Sequence, residues 1–203
     1  MKPYLTIKRI LDSVFALILL LIVSPIMVVS AIAIKLESRG SILFIQERLG
    51  KDTKVIKVYK FRTMKIETNY EDRQLSNKER LTKTGSFLRR TSIDELPQLF
   101  NILRGEMSFI GPRPLLVKYL EHYSPEQMRR HEVLPGISGW AQVNGRNKIS
   151  WEQKFEHDVW YVDNVRFLLD LKIIWLTVYK VVRRKDINQN DDTTMEEFIG
   201  SKY

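Results

Sequence analysis

Two adjacent carboxylates, Asp94 and Glu95, lie between basic residues near the middle of this 203-residue chain. Arg89 precedes them, and Arg113 follows with a proline on each side that restricts its backbone. A carboxylate can attack phosphorus, a second carboxylate can hold Mg²⁺, and arginine pairs with phosphate oxygens. These residue types therefore indicate a site for phosphate chemistry that uses a divalent metal ion.

The local spacing predicts where the acid pair lies in a helix. Ser92 followed by Glu95 has the spacing of a capping box, so we expect a helix to begin at Ile93 with Pro97 in its first turn. The acids then lie at a helix N-terminus, where the dipole favours negative charge and exposed N–H groups favour phosphate. Ordinary surface helices also begin with such acids, so the spacing alone leaves a structural role open.

The charge of the chain is unevenly distributed. Lys and Arg number 33 against 24 Asp and Glu, which gives a net charge of +9. Residues 186–203 contain five acids and one base, so this tail carries −4 and the other 185 residues carry +13. Such a surface suits anionic partners, including anionic lipid and nucleotide phosphates. The chain has no cysteine and no aromatic–basic nucleic-acid motif, so we expect no disulfide, no zinc–thiolate site and no nucleic-acid partner.

An apolar segment near the N-terminus is long enough to place the site at a membrane. Residues 13–34 contain no charge, and these 22 residues would span about 33 Å as a helix, enough for a hydrocarbon core of about 30 Å. Ser24 and Pro25 lie in the middle of the segment, where proline removes a backbone donor and the serine hydroxyl can satisfy the freed carbonyl. Both flanks are basic, so the positive-inside rule gives no direction for a crossing.

Three arrangements of this segment are compatible with the pattern. We favour a re-entrant helix–break–helix that turns at Ser24-Pro25 and keeps both basic flanks on the cytoplasmic side. A kinked full span and a buried core helix are the alternatives. The domain boundaries follow: a re-entrant membrane helix over 1–36, a catalytic domain over 37–185, and an acidic, flexible tail over 186–203.

The remainder predicts an α+β fold: a mostly helical cytoplasmic domain with a small β-hairpin and interfacial amphipathic helices. Strands are expected at 41–46 and 55–61, joined through a turn at 50–52, and 66–83 is expected to be a mobile loop. The helices are predicted over four ranges: 115–122, 125–132, 151–165 and 167–184. The apolar stripe of the last helix either lies in the membrane interface or closes the core.

Five landmarks occur in one order along residues 8–184. They are the apolar segment with Ser24-Pro25, VYKFRTM at 58–64, SIDELPQ at 92–98, MSFIGPRP at 107–114 and PGISGWAQVNGR at 135–146. In this order the chain resembles the small monotopic phosphoglycosyl transferases of the bacterial sugar transferase family.

The resemblance implies a reaction and assigns roles. Such enzymes transfer a sugar-1-phosphate from a UDP-sugar to polyprenyl phosphate on the cytoplasmic face of the bacterial inner membrane and release UMP. They work by ping-pong through an aspartyl-phosphosugar intermediate with Mg²⁺. By this resemblance Asp94 is the nucleophile, Glu95 is its partner in the dyad, and both are metal ligands. The implied substrate-binding residues are all basic: Lys60, Arg62, Arg89, Arg113 and Arg146.

The donor sugar is the least defined part of this expectation. The similarity looks closest to enzymes that begin glycoprotein glycan assembly with diacetylbacillosamine phosphate, so UDP-N,N'-diacetylbacillosamine is one expected donor, and another UDP-hexose or UDP-HexNAc is the alternative. A membrane-bound metal-dependent phosphohydrolase and a non-catalytic basic anchor are competing functions. No oligomeric state is predicted.

Overall fold

A computed structural model of the protein describes residues 3–70, 73–145, 149–183 and 197–200. The predicted α+β class and the mainly helical content are confirmed. The helices are α1 (Pro3–Glu37), α2 (Asn77–Arg80), α3 (Lys83–Thr91), α4 (Gln98–Leu103), α5 (Pro125–Met128), α6 (Trp140–Asn144), α7 (Trp151–Asn164) and α8 (Phe167–Val182). The strands are β1 (Leu43–Leu49), β2 (Val55–Phe61), β3 (Asn69–Tyr70), β4 (Arg73–Gln74), β5 (Ser108–Ile110) and β6 (Gly136–Ser138).

The predicted hairpin is present as the antiparallel pair β1–β2. Its register runs from Leu43 opposite Phe61 to Leu49 opposite Val55, and a 3₁₀ turn at Lys51–Thr53 joins the strands. Side chains of directly opposed residues lie on the same face of a hairpin. Each face therefore carries alternate residues from both strands, and Lys60 shares a face with its partner Phe44.

Two of the sequence landmarks meet in the parallel pair β5–β6. Ser108 is opposite Gly136 and Ile110 is opposite Ser138. A Cβ added to Gly111 would lie 2.2 Å from the backbone oxygen of Leu134, so glycine is required for this close approach. The approach places the segment that carries Arg113 directly beside the start of β6.

Helix α1 continues through Pro25, which differs from the predicted helix–break–helix. The missing N–H of Pro25 leaves the carbonyl of Leu21 without its helical donor. The hydroxyl of Ser24 donates to that carbonyl at 2.9 Å, as expected from the sequence. This substitute hydrogen bond explains why the helix is not interrupted there.

Both ends of α1 bind the same folded domain. Near the N-terminal end, the buried ammonium of Lys8 lies 2.6 Å from the carboxylate of Asp170 in α8. At the other end, the Glu37 carboxylate accepts from the backbone N–H groups of Lys83 and Thr84 at 2.7 and 2.8 Å. The helix is therefore attached to the domain along its length, and does not project from it.

The outer surface of α1 is apolar and exposed. By length and composition α1 could cross a membrane. Helix α8 adds a second such surface, because Leu169 and Ile173 are buried in the core while its opposite side is uncovered. The role in closing the core is therefore confirmed for one side of α8, and contact of the other side with the membrane interface stays a prediction. The exposed apolar residues of α8 are Phe167, Leu168, Leu171, Ile174, Trp175, Val178 and Val181.

Two predicted elements need correction. The segment 66–83, expected to be a loop, contains β3, β4 and α2, and α2 begins with a capping box between Ser76 and Glu79. The helix expected over 115–122 is a 3₁₀ helix at Val117–His122. The elements in both segments are short. In the segment 66–83, the polar composition favoured a loop over the short strands and the capped helix that are present.

The structure describes residues 197–200 of the tail that was predicted to be flexible. Phe198 is only 3% exposed. It packs in an aromatic cluster next to the segment that follows Arg113, and the cluster's other fully buried members are Leu115, Tyr119 and Phe155. Residues 186–196 and 201–203 lie outside the described residues, so the flexibility of the tail stays a prediction there.

Candidate active site

The acid pair follows a sharp change of direction after α3. Ser92 adopts a left-handed backbone conformation with φ 57°, and its N–H bonds back to the carbonyls of Leu88 and Arg89, so it ends α3. A 3₁₀ turn at Ile93–Glu95 follows, and helical backbone at Leu96 and Pro97 leads into α4. The acids therefore lie in a first turn, as predicted.

The predicted capping box is wrong. Ser92 makes no side-chain hydrogen bond to the turn that follows it. Because Ser92 is already the C-terminal cap of α3, its left-handed backbone is not the extended conformation that an N-cap serine uses. A left-handed non-glycine residue is uncommon and is found more often near functional sites.

Close packing of α3 on the end of β2 brings Arg89 toward the acids. A Cβ on Gly85 would lie 2.0 Å from the backbone oxygen of Thr63, so only glycine permits this contact. From the next turns of α3, the Nε of Arg89 donates to the hydroxyl of Thr63 at 3.0 Å. The charge of Arg89 is then close enough to Asp94 to lower the pKa of its carboxyl.

Glu95 is held by two cations. Its Oε1 atom accepts hydrogen bonds from Lys60 Nζ at 2.7 Å and from Arg113 Nη2 at 2.8 Å. Burial alone would raise the pKa of Glu95, but the charges and hydrogen bonds of Arg113 and Lys60 outweigh it and lower the pKa to about 2. Glu95 is therefore ionised at any physiological pH and fixed in position.

Asp94 differs from Glu95 both in its hydrogen bonds and in the direction of its pKa shift. It is half-buried, and its carboxylate makes no hydrogen bond to any described residue. Burial, and next the charge of Glu95, raise the pKa of Asp94 to about 6, although Lys60, Arg89 and Arg113 act in the other direction. Neighbouring acids whose environments separate their pKa values commonly have different chemical roles. Asp94 is the more basic and the less constrained of the two.

Arg113 is fixed from behind by a buried ion pair. The carbonyl of Arg113 accepts a hydrogen bond from Arg130 Nη2 at 2.7 Å, and Arg130 binds Asp158 at 2.7 Å. The side chains of Arg130 and Asp158 are 1% and 3% exposed. Sequence reasoning missed this pair because 28 residues separate its members and neither has a recognisable local pattern.

Arg62 does not join the acids. Its guanidinium donates to the backbone oxygen of Ser38 at 2.9 Å, to the hydroxyl of Ser38 at 3.0 Å and to the carbonyl of Arg39. These groups lie just after the end of α1, so Arg62 binds that end of the helix and is buried there. This differs from the predicted role in substrate binding. Arg146, the other predicted contact, lies outside the described residues.

The donor set of the acid pair fits Mg²⁺. Within the described ranges no three His, Asp or Glu residues are grouped closely enough to hold a metal by themselves. Mg²⁺ in phosphate-transfer sites is usually held by one or two carboxylates, with the substrate phosphates and waters completing its shell. Asp94 and the Oε2 atom of Glu95, which the two cations leave unbonded, provide such a pair.

The chain is similar to known sugar transferases. The family described as bacterial sugar transferase matches residues 3–184. An uncharacterized sugar transferase, EpsL of Bacillus subtilis, is 51% identical over 195 residues, which cover 96% of each protein. A UDP-glucose:undecaprenyl-phosphate glucose-1-phosphate transferase of Escherichia coli is 45% identical over 86% of this chain and 40% of its own length. A UDP-N-acetylgalactosamine-undecaprenyl-phosphate N-acetylgalactosaminephosphotransferase of Aeromonas hydrophila is 39% identical over 88% of this chain and 44% of its own length. The chain thus spans less than half of these last two relatives.

Proposed function

The chain belongs to the bacterial sugar transferase family, and we propose that it transfers a sugar-1-phosphate from a UDP-sugar to polyprenyl phosphate with release of UMP. The observation that carries this proposal is the unequal acid pair. Glu95 is held ionised by Lys60 and Arg113, whereas Asp94 is more basic and makes no hydrogen bond within the described part of the chain. This is the condition expected of a carboxylate nucleophile beside a phosphate-binding group.

The reaction has two half-reactions. A carboxylate oxygen of Asp94 attacks the β-phosphorus of the UDP-sugar, and the bond from that phosphorus to the bridging oxygen breaks. UMP leaves with the bridging oxygen and its electron pair, and the sugar phosphate remains on Asp94 as an acyl phosphate. A phosphate oxygen of polyprenyl phosphate then attacks the same phosphorus and displaces the carboxylate. The two substrates react in turn, so ping-pong kinetics are expected.

The cations of the site hold and neutralise the diphosphate. Lys60, Arg89 and Arg113 bring three positive charges to the two acids, which leaves an excess suited to an anionic substrate. Mg²⁺, held by Asp94 and Glu95, would supply further charge neutralisation on the phosphate oxygens. The cations are positioned before substrate arrives, because Glu95 and the Arg130–Asp158 pair restrain Lys60 and Arg113.

The donor sugar is testable by a UMP-release screen with undecaprenyl phosphate as acceptor. Two of the donors to be tested, UDP-glucose and UDP-N-acetylgalactosamine, appear in the names of relatives. The others are UDP-N,N'-diacetylbacillosamine and further UDP-hexoses and UDP-HexNAcs. We expect one donor to exceed the rest by at least about tenfold in kcat/KM, as differential transition-state binding requires. Absence of UMP with every donor would contradict the proposal. Free sugar phosphate formed at full rate without the lipid would favour the phosphohydrolase alternative.

We further propose a monotopic arrangement on the cytoplasmic face of the bacterial inner membrane. The attachment of Lys8 to Asp170 and of Glu37 to the start of α3 supports it, because a helix held at both ends by one domain cannot place those ends on opposite sides of a bilayer. The outer apolar surfaces of α1 and α8 then contact the hydrocarbon and the interface. Basic residues beside them attract anionic lipid head groups.

Topology can be tested by labelling, since the chain has no native cysteine. Single cysteines at Thr6 and Ser41, both exposed, should be protected from an impermeant maleimide in intact cells and should both react after permeabilisation. Pro25→Leu should leave both positions protected, because α1 already continues through Pro25 and is held to the domain at both ends. Ile26→Leu is the matched control. Outside labelling of one position in the parent chain would contradict the arrangement.

The pH dependence of the first half-reaction should follow Asp94. Attack requires the ionised carboxylate, and the pKa of Asp94 is raised from 3.8 to about 6. The value of kcat/KM for the UDP-sugar should therefore fall about tenfold per pH unit below about pH 6, some two units above the range of an ordinary aspartate. Enzyme held at low pH and assayed at pH 7.5 controls for unfolding. A flat profile to pH 5 would be inconsistent with this role of Asp94.

A further inference from the structure

Arg48 lies on the same face of the β1–β2 hairpin as Lys60. The register pairs Phe44 with Lys60 and Arg48 with Ile56, and alternate residues of a strand share a face. Arg48 is four residues along β1 from the partner of Lys60, which is about 13 Å of strand. One face of the hairpin therefore carries a basic residue on each strand.

Arg113 connects these two positions. Its guanidinium reaches the Lys60–Glu95 pair beside β2. Its own backbone continues into Leu115, whose carbonyl accepts from Leu49 N at 2.9 Å at the outer edge of β1. The next residue, Leu116, forms a backbone bridge with Arg48. Lys60, Arg113 and Arg48 thus follow one another across this face of the hairpin. The acids lie beside Lys60 on β2, and Arg48 lies on β1.

Arg48 has no acidic partner in the described part of the chain. Its guanidinium donates to the side-chain oxygen of Gln46 at 2.6 Å, which is a neutral group. Burial, and next the positive charge of Arg113, lower the pKa of Arg48. Arg113 has Glu95 as its partner, whereas Arg48 has only a neutral one, so a bound anion would offset the charge of Arg48.

The packing on the α1 side of the acids indicates in which direction the nucleotide of the UDP-sugar extends. Ile93, immediately before Asp94, packs against the buried cluster that Ile34 of α1 forms with Phe61 and Leu88. In the proposed membrane arrangement, the lipid acceptor approaches from the side of α1. The nucleotide half of the donor then extends the other way, past Arg113 and across β1, once its β-phosphate is at Asp94.

We propose that Arg48 binds the α-phosphate of the UDP-sugar, which leaves as UMP. The inference rests on the proposed transferase function and extends its site to a residue on β1. Arg48 holds the donor and neutralises charge on the departing UMP in the first half-reaction. Because UMP has left before the second half-reaction begins, Arg48 has no role in transfer to the lipid.

Ping-pong kinetics separate these steps. In such a mechanism the kcat/KM of each substrate depends only on its own half-reaction. Arg48→Gln should lower kcat/KM for the UDP-sugar by about 10- to 100-fold, the range for loss of one charged hydrogen bond, and leave kcat/KM for polyprenyl phosphate within about twofold. Arg48→Lys should retain part of the donor value. Lys57→Gln, on the opposite face of the same hairpin, is the control and should change neither.

Binding of free UMP, measured by calorimetry on the full-length protein, gives an independent readout. Arg48→Gln should weaken UMP binding by about 10-fold or more and leave uridine binding unchanged. Unchanged UMP affinity, or equal losses in both kcat/KM values, would overturn the assignment and make Arg48 a structural residue. If the parent enzyme released no UMP from any donor, the transferase proposal would fail separately, while the UMP affinities would still decide the role of Arg48.

Discussion

Asp94→Asn is expected to lower turnover by about 10⁴-fold or more, because it removes the nucleophile while keeping nearly the same volume. An amide cannot attack the β-phosphorus at a useful rate, so neither half-reaction proceeds. UMP release measured with and without polyprenyl phosphate should be absent in both cases. The loss should not reflect unfolding, since removal of a half-buried carboxylate with a raised pKa does not remove a stabilising contact.

The matched control for Asp94→Asn is Asp52→Asn. Asp52 is exposed at the turn of the hairpin and has a left-handed backbone, which asparagine tolerates. This variant makes the same chemical change outside the site and should keep full activity. Retention of more than about a tenth of the turnover by Asp94→Asn would exclude a nucleophilic role for Asp94.

Glu95→Gln is expected to lower kcat by about 10²-fold, and not to abolish the reaction. Glutamine keeps an oxygen near Lys60 and Arg113 but loses the charge that holds both cations and helps to bind Mg²⁺. The nucleophile is intact, so the phosphosugar should still form on Asp94, only more slowly. Single-turnover UMP release measures this rate directly.

The same variant should shift the pH profile in a defined direction. Glu95 is the second cause of the raised pKa of Asp94, after burial. Removing its charge, with Lys60 and Arg113 still present, should lower the pKa of Asp94. The acidic limb of the profile should then move below about pH 6. Glu47→Gln, an exposed acid on β1, is the control. An unchanged rate and profile would show that Glu95 is not coupled to Asp94.

Local patterns predicted the elements around the site well. Alternating apolar residues and a turn located the β1–β2 hairpin, and the Ser24 hydroxyl satisfies the carbonyl left by Pro25 as expected. The acids at 94–95 do lie in a helical first turn. These features depend on residues within a few positions of one another, which a single sequence records.

Some errors are local, as at Ser92 and in the segment 66–83, whereas the others and the omissions involve contacts between distant parts of the chain. Arg62 follows a motif lysine, yet its guanidinium binds the end of α1, 23 residues earlier. Ser92 has capping-box spacing, but it already ends α3. The attachment of Lys8 to Asp170 spans 162 positions. The sequence was sufficient to place Arg48 on the same hairpin face as Lys60, because the register follows from the turn. The proximity of Arg48 to Arg113 depends on tertiary packing and was not predictable in this way.

Isolation of the covalent intermediate tests the proposed role of Asp94 most directly. The full-length enzyme, incubated with its UDP-sugar and Mg²⁺ without lipid acceptor, is digested and analysed by mass spectrometry. The proposed mechanism predicts one sugar phosphate on the peptide that contains Asp94, one equivalent of UMP released, and loss of the adduct when polyprenyl phosphate is added. UMP release with no adduct, or an adduct on another residue, would contradict it.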